Sequence, residues 1–511
     1  MNHFNLIEES WIPVAGVGLV SLRDVFNDHT LKSLGGTPIE KIALTKLLVA
    51  IAQSAYTPED FCEWSSLGSS GLSSKCLSYL EYNKNRFYLY GDNPFLQFHE
   101  VKDIARYSTK GKKEKLLPYG ALIPEVATGN TTRLTGYNIE RSLTDGQKAL
   151  ILITQLSMCF SGKKADNSIV LTEGYEGKSN DKGKPSTPRS GTGIAHMGLL
   201  HSFAHGSSLQ ETIWLNVFTN QDIQETNMFQ LGVGVAPWEQ MPKGEDCAVA
   251  RRLKSTLMGR LVPMCRFMYL EKNGVYITEG IHHLTHKDHM FDPSITVKPT
   301  CKTRSELKVV WTDPDRKPWR QLPSMLGFLS GSPDMCYQLK FAFDKAKRAN
   351  RLISVWSGGA QVSANAGEQY LSGGNDTVET IMSIPYESHN HMGFIKYTNE
   401  IKELDAISKR LYGCVLGYAS EFNKDGKDIA LNATMMFWEA CGHNAQLLID
   451  SCFDETSESY EKIYQLRKVF FDNVQTIYDI LCANHSSRQM QAWSKCRPNA
   501  WKYLERSYDE I

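Results

Sequence analysis

From about residue 390 onward, apolar residues recur at steps of three and four. Ile401, Leu404, Ile407, Leu411, Cys414, Tyr418 and Phe422 make one series. Tyr460, Ile463, Phe470, Val474, Ile477 and Leu481 make another, with a longer step at Arg467. That period places the apolar side chains on one stripe of a helix. The stretch 429–452 reads the same way, with Met435, Trp438, Cys441 and Leu448 turned inward. Pro498 divides the remainder into two short helices, near 486–495 and 498–508. Helices joined by short loops bury such stripes most economically as an up-and-down four-helix bundle, which we expect over 391–511.

The chain before that point has a different texture. Pro13, Gly16 and Gly18 end a short strand-like opening at 6–14. Thr37-Pro38, with Glu40 in the first turn, signals a helix start, and Ile42, Leu44, Leu47, Leu48, Ile51 and Ala52 supply its apolar face. A second helix is expected from Asp145 to about Phe160. Further on, short β-branched and aromatic runs at 275–278, 308–312 and 351–356 alternate with helical stretches such as 336–350. The fold class expected is α+β: a large irregular mixed domain over 1–390, then the helical domain. With 511 residues, 41% hydrophobic and 22% charged, the chain can bury cores of this size, and global disorder is not expected.

Composition narrows the function. Lys and Arg number 56, as do Asp and Glu, so bulk charge does not hold nucleic acid here, although local patches can. No run of about 18 apolar residues exists, which excludes a membrane span. The start MNHFNLIEES lacks a basic region followed by an apolar one, so we expect no secretory signal and a cytoplasmic protein. Twelve cysteines are spread from Cys62 to Cys496 with no CxxC, which fits reduced, buried thiols rather than a zinc ribbon.

A few local features could carry chemistry. Residues 102–115 hold six cations against two carboxylates, a local charge of +4 on an expected exposed loop. Two long polar, Gly-rich stretches, 127–145 and 161–198, exceed ordinary connections. Within the second, Ser190, Gly191, Thr192 and Gly193 follow Arg189. Such a small-residue loop lets backbone N–H groups approach a phosphate or groove, or is an ordinary turn; it lacks the P-loop pattern. His282, His283, His286 and His289 cluster beside Asp288 and Asp292, without HExxH or a cysteine partner. The stretch 357–369 sets Gln361, Ser363, Asn365 and Gln369 among Gly358, Gly359 and Gly367. By itself it reads as a turn-rich hairpin whose amides could meet base edges. No GxSxG or Cys–His signature appears, so no catalytic residue is nominated, and no cofactor or metal is called for.

Several of these stretches occur in the same order in a known family. LIEESWIPV at the start, NPFLQF at 93–98, HSFAHGSSLQETIWLNVF at 201–218 and GGAQVSANAGEQY from Gly358 resemble the large subunit of the type I-E Cascade complex, the CasA or Cse family. The resemblance spans nearly the whole chain and implies a non-enzymatic part of an RNA-guided surveillance complex. Its partners would be crRNA, the other Cascade subunits, double-stranded target DNA bearing a protospacer-adjacent motif (PAM), and a helicase-nuclease. Sequence is then read by guide pairing, while this subunit reads the PAM and starts strand separation. The family's glycine loop falls nearest Ser190–Gly193 and its PAM lysine at Lys287, with His286 or His289 sharing phosphate contacts. Its glutamine-bearing wedge hairpin falls on the loop with Gln361, Ser363, Asn365 and Gln369. Its first long loop, which anchors near the crRNA handle, falls on 129–142, with Leu134 as apolar anchor and Arg133 and Arg141 as phosphate neighbours. Lys409, Arg410, Arg488, Lys495, Arg497 and Lys502 would be strand contacts, or ordinary solvated helix faces. Two readings compete: a metal-dependent hydrolase using the His282–His289 cluster, and a nucleic-acid scaffold without PAM preference.

Overall fold

Thr37 and Glu40 form a reciprocal cap: the Thr37 N–H donates to Glu40 Oε2 at 2.7 Å, and the Glu40 N–H donates to Thr37 Oγ1 at 3.3 Å. The helix they start, Pro38–Ala55, is buried on nearly every side, from Ile39 through Ala52. A helix that is apolar all round belongs inside a core. Accordingly it packs against the helices Phe61–Tyr82, Asp145–Ser157 and Leu209–Asn216 and the strand Ile353–Ala360. Its buried Gln53 is satisfied at both ends by Phe218, whose N–H donates to Oε1 at 2.6 Å and whose carbonyl accepts from Nε2 at 3.2 Å.

This computed structural model describes residues 4–105, 116–122, 143–160, 171–172, 197–300, 306–351, 353–365, 368–371, 376–385, 391–499 and 503–504. The chain divides into two compact units, Met1–Pro318 with Pro333–Ile381, and Trp319–Ser332 with Met382–Ile511. Among the described residues no helix is long and apolar enough to cross a membrane.

In the first unit, helices surround small antiparallel sheets, the α+β mixture expected. Strand Ile353–Ala360 is the middle of three, between His201–His205 and Thr377–Ile384. Phe203 pairs with Trp356 and His201 with Gly358. Trp64 and Trp214 stack at 3.8 Å, and each indole N–H donates to the other residue's carbonyl, at 3.0 and 3.1 Å. Asn216 clamps the end of strand His201–His205: its Oδ1 accepts from the Ala204 N–H at 3.1 Å, and its Nδ2 donates to the Ala204 carbonyl at 2.7 Å.

Gly358 and Gly359 lie inside the middle strand, not in a turn. A Cβ on Gly359 would stand 2.2 Å from Thr312 Oγ1 and 2.8 Å from the Leu199 carbonyl, so only glycine lets these backbones approach.

The second unit contains the helices His391–Ser420, Lys427–Gly442, Ala445–Phe453, Ser459–Leu481 and Ser487–Cys496. The first packs against the other four. Inside, Arg467 and Glu400 form a buried pair, with Nε donating to Oε2 at 3.1 Å. The segment 319–332 joins this unit through aromatic and cationic contacts. The Tyr397 hydroxyl donates to the Trp319 carbonyl at 2.7 Å, and the Arg320 guanidinium lies 3.3 Å from the Trp438 ring centre.

Two details of the helical reading need correcting. The stretch 429–452 is not one helix; it breaks at His443 and Asn444, after Gly442, where three weak helix formers adjoin. Met435 does not point inward; it is 56% exposed. The buried stripe is Ala430, Ala433, Phe437, Trp438 and Cys441, and position 435 falls well round the helix from it.

Gly359→Ala is expected to destabilise the first unit by about 1–3 kcal/mol through overpacking, read as a lower urea midpoint. Adding Thr312→Ala should recover part of that loss. A midpoint unchanged by Gly359→Ala would contradict the close approach.

Candidate nucleic-acid interface

The loop from Gly280 to Phe291 leaves the hairpin made by strands Arg266–Glu271 and Gly274–Glu279. A buried ion pair stands at each end of it. Before it, Arg266 Nη1 meets Glu279 Oε2 at 2.6 Å, with the two side chains 0% and 1% exposed. After it, Asp292 pairs with Lys46 of the core helix Pro38–Ala55, both fully inside. Asp292 also accepts at Oδ1 from the Ser294 N–H at 3.0 Å and from its hydroxyl at 2.7 Å, and the Ser294 hydroxyl lies 2.8 Å from His201 Nδ1. Burial pushes the Asp292 carboxyl upward, but the Lys46 charge and His201 more than offset it and hold it below the usual range.

Between the pairs, further bonds fix the path. His283 is buried, with Nε2 2.8 Å from the Pro263 carbonyl. Arg260 Nη1 donates to the Leu284 carbonyl at 3.0 Å. Thr285 and Asp288 cap a single 3₁₀ turn, His286–Asp288, and His289 closes it with a left-handed φ of 55°. Lys287 sits in that turn and is exposed. A lysine on a well-anchored turn presents a cation at a defined place, as a phosphate contact requires.

Gln361, Ser363, Asn365 and Gln369 fall where the middle strand ends. Gln361 is exposed, and its N–H donates to the Asp376 carbonyl at 2.7 Å. Strands Ser363–Asn365 and Glu368–Tyr370 then form an antiparallel hairpin, with Ser363 opposite Tyr370, Ala364 opposite Gln369 and Asn365 opposite Glu368. The sequence expectation of a hairpin here thus corresponds to a real one. It places Asn365 at the end beside the turn and Gln369 one pair further back.

The remaining expected contacts divide. Ser190, Gly191, Thr192 and Gly193, with Arg133, Leu134, Arg141 and Lys502, lie outside the described residues. Of the helical cations, most are engaged within their own unit. Lys495 meets Glu421 at 2.7 Å, Arg497 meets Asp479 at 3.1 Å, Arg488 donates to the Glu421 carbonyl at 3.1 Å, and Arg410 donates to the Asn499 carbonyl. Lys409 is exposed on its helix.

The histidines do not converge. Among the described residues no group of three or more His, Cys, Asp or Glu side chains is arranged to hold a metal ion. His283 points into the protein, and burial together with the Arg260 charge holds it well below its ordinary pKa. Sequence reading did not single out Lys46. Its signal was a lone lysine inside an apolar helix, LTKLLVAIA at 44–52.

Comparison with known proteins places the chain. The family described as CRISPR-associated protein Cse1 matches residues 5–474, and this chain belongs to that family. CasA/Cse1 of Thermus thermophilus is 30% identical over an alignment of 156 residues that covers 28% of this chain and 28% of that relative's length. Solved structures share the fold. CasA (Cse1) of Thermus thermophilus has a TM-score of 0.70 at 18% identity, over 100% of both chains. Cse1 of Thermobifida fusca has 0.73 at 18%, over 98% of both. A chain of a CRISPR RNA-guided surveillance complex has 0.68 at 13%, over 97% of this chain and 99% of that one.

The anchoring network carries a pH signature. Burial pushes His201 down from 6.5 to about 4. An unfolded histidine takes up its proton near pH 6.5, whereas folded His201 does so only near 4. Below pH 6.5 the unfolded chain therefore binds more protons, so this stability is full above about 6.5 and falls as the pH drops. Urea unfolding of the first unit should show that slope, and His201→Gln should flatten part of it while His205, His283 and His286, whose pKa values are also lowered by burial, keep the rest. An identical slope in His201→Gln would contradict a neutral, buried His201.

Proposed function

We propose that this chain is the large subunit of a type I-E Cascade surveillance complex, without enzymatic activity of its own, acting in the cytoplasm. It binds beside the crRNA handle among the other subunits. There it recognises the PAM in double-stranded target DNA, promotes strand separation and R-loop formation, and helps recruit the helicase-nuclease of antiviral defence. Membership of the Cse1 family across residues 5–474 is the observation that carries this reading. The surveillance-complex chain of the same fold supports the placement in an assembly.

Within this reading each part has a task. Lys287 supplies one phosphate contact from a turn fixed by Thr285 and Asp288. The hairpin of Ser363–Asn365 and Glu368–Tyr370 is narrow enough to act as a wedge beside the first base pair, with Asn365 nearest its turn and Gln369 behind it. The loop at Ser190–Gly193 contacts the groove through backbone, and Arg133, Leu134 and Arg141 anchor the subunit. A formal net charge of 0 fits a subunit that depends on its assembly for general attraction to DNA. The hydrolase alternative, built on His282, His286 and His289, has no such support: among the described residues no three His, Cys, Asp or Glu side chains converge to hold a metal ion.

The test is a titration of the guide complex, assembled with and without this subunit, against duplexes carrying every PAM variant. Discrimination only with the subunit is expected; equal discrimination without it would overturn the reading. Within the complete complex, Lys287→Ala should weaken duplex binding at all sequences and lower the slope of log affinity against log salt by about 1. Asn365→Ala and Gln369→Ala should instead reduce strand opening or PAM choice more than bulk affinity. Equal losses on matched and mismatched PAMs for all three would contradict the assigned roles.

A further inference from the structure

A cavity of about 250 Å³ opens on one face of the three-stranded sheet in the first unit, lined in part by the two strands that flank the candidate wedge hairpin in sequence. Phe203 and His205 of one edge strand, Trp356 of the middle strand, and Glu379 and Ile381 of the other edge strand contribute to it, and Lys41 of the core helix closes one side. Residues two apart on a strand share a face, which is why this set converges. Phe203 and Trp356 are paired across the strands with ring centres 6.1 Å apart.

The polar groups are arranged unequally. Glu379 Oε1 accepts from Lys41 Nζ at 2.6 Å and from the Trp356 indole N–H at 2.7 Å. These two bonds fix the carboxylate and the indole plane, and the lysine balances the carboxylate's charge. Glu379 Oε2 has no partner among the described residues. His205 Nε2 is buried and also unpartnered. Burial, with the Lys41 charge added, lowers the His205 pKa, so the ring is neutral near pH 7. The cavity thus combines aromatic and aliphatic walls with a spare carboxylate oxygen and a neutral imidazole nitrogen; the two charges of its lining, Lys41 and Glu379, cancel, and Glu211 acts on His205 from outside the lining.

Such a site asks for a neutral, planar group with N–H donors in its plane. A cationic guanidinium or amine would meet Lys41 with no spare net negative charge to receive it. A volume below the roughly 300–1,000 Å³ of pockets for drug-sized ligands suits a single ring system. Base–aromatic stacking combined with hydrogen bonds to an exposed base edge is a recurring mode of single-strand recognition. We propose that this cavity binds one unpaired nucleobase carrying an exocyclic amine, with the amine donating to Glu379 and a ring or amine N–H meeting His205. The base comes either from a free nucleotide or from an extruded position in a strand, and the site shares no lining residue with the PAM-reading loops.

Equilibrium dialysis of the purified full chain distinguishes these cases. The probes are the adenosine, cytidine, guanosine and uridine monophosphates, and six-nucleotide single strands of each base. Adenine, cytosine or guanine probes should bind at least tenfold more tightly than uracil probes. Monophosphates binding as well as strands would indicate a free nucleotide; strands binding much more tightly would indicate an extruded base. Ile381 is 47% exposed at the rim, so Ile381→Trp should fill the mouth without disturbing the fold and reduce binding at least tenfold. Glu379→Gln should erase most of the preference for amino-bearing bases. The proposal is overturned if no probe binds at millimolar concentration, if uracil probes bind equally, or if Ile381→Trp leaves binding unchanged. Indole or tyrosinamide binding more tightly than every nucleotide would also overturn it, in favour of a partner's aromatic side chain. PAM discrimination by the assembled complex is a separate readout, so failure here leaves that reading standing, and the converse holds.

Discussion

The buried pair between Lys46 and Asp292 ties the core helix of the first unit to the loop that displays Lys287. Taking both charges out of water is costly, and the pair is tolerable only because each partner is present and Asp292 has further donors in Ser294. Removing one partner would leave a buried, uncompensated charge, at a cost of about 3–5 kcal/mol. Arg266 and Glu279 form a second such pair where the loop begins. The loop is therefore fixed at both ends, at the hairpin by one pair and to the core helix by the other. A metal ion is not needed to explain its conformation: His283, Arg260 and the Thr285–Asp288 cap account for the path between the pins.

Much of this was legible in the sequence where one periodicity or one cap determines the element. Pro38–Ala55 begins at Thr37 because Thr37 and Glu40 can cap one another, and that pattern is visible in four residues. The long helices His391–Ser420 and Ser459–Leu481 follow from apolar steps of three and four. The hairpin at 363–370 was legible from its small and amide residues, although Gly358 and Gly359 before it serve strand packing instead. What local pattern does not carry is pairing between distant residues. Lys46 and Asp292 are 246 positions apart, and neither looks unusual without the other. The same limit hides the docking of 319–332 through Trp319 and Arg320, and the exposure of Met435, whose turn of helix offers two overlapping apolar stripes. The histidine cluster is the converse case, because proximity in sequence suggested a shared ligand while the fold commits His283 to the Pro263 carbonyl and brings no three ligand side chains together among the described residues.

The stretches that carry the family resemblance prove to be packing devices. Gln97 of NPFLQF donates to the Leu89 carbonyl at 2.7 Å and accepts from the Leu270 N–H at 2.9 Å. Trp11 of the opening stretch donates to the Leu6 carbonyl at 2.9 Å. Asn216 and Trp214 of the 201–218 stretch clamp a strand and a helix. These residues build a rigid frame, and the proposed DNA contacts are few and sit at its edges. A chain with zero formal charge can take part in DNA recognition in this way, because placement replaces bulk attraction.

A photocrosslinking amino acid introduced at position 287 within the assembled guide complex reports that placement most directly. With target duplex present, crosslinks should map to backbone positions within or beside the PAM and should be lost when the PAM is scrambled. Crosslinks confined to the guide RNA or to neighbouring protein, or a yield indifferent to the PAM, would contradict the assignment of this loop to DNA.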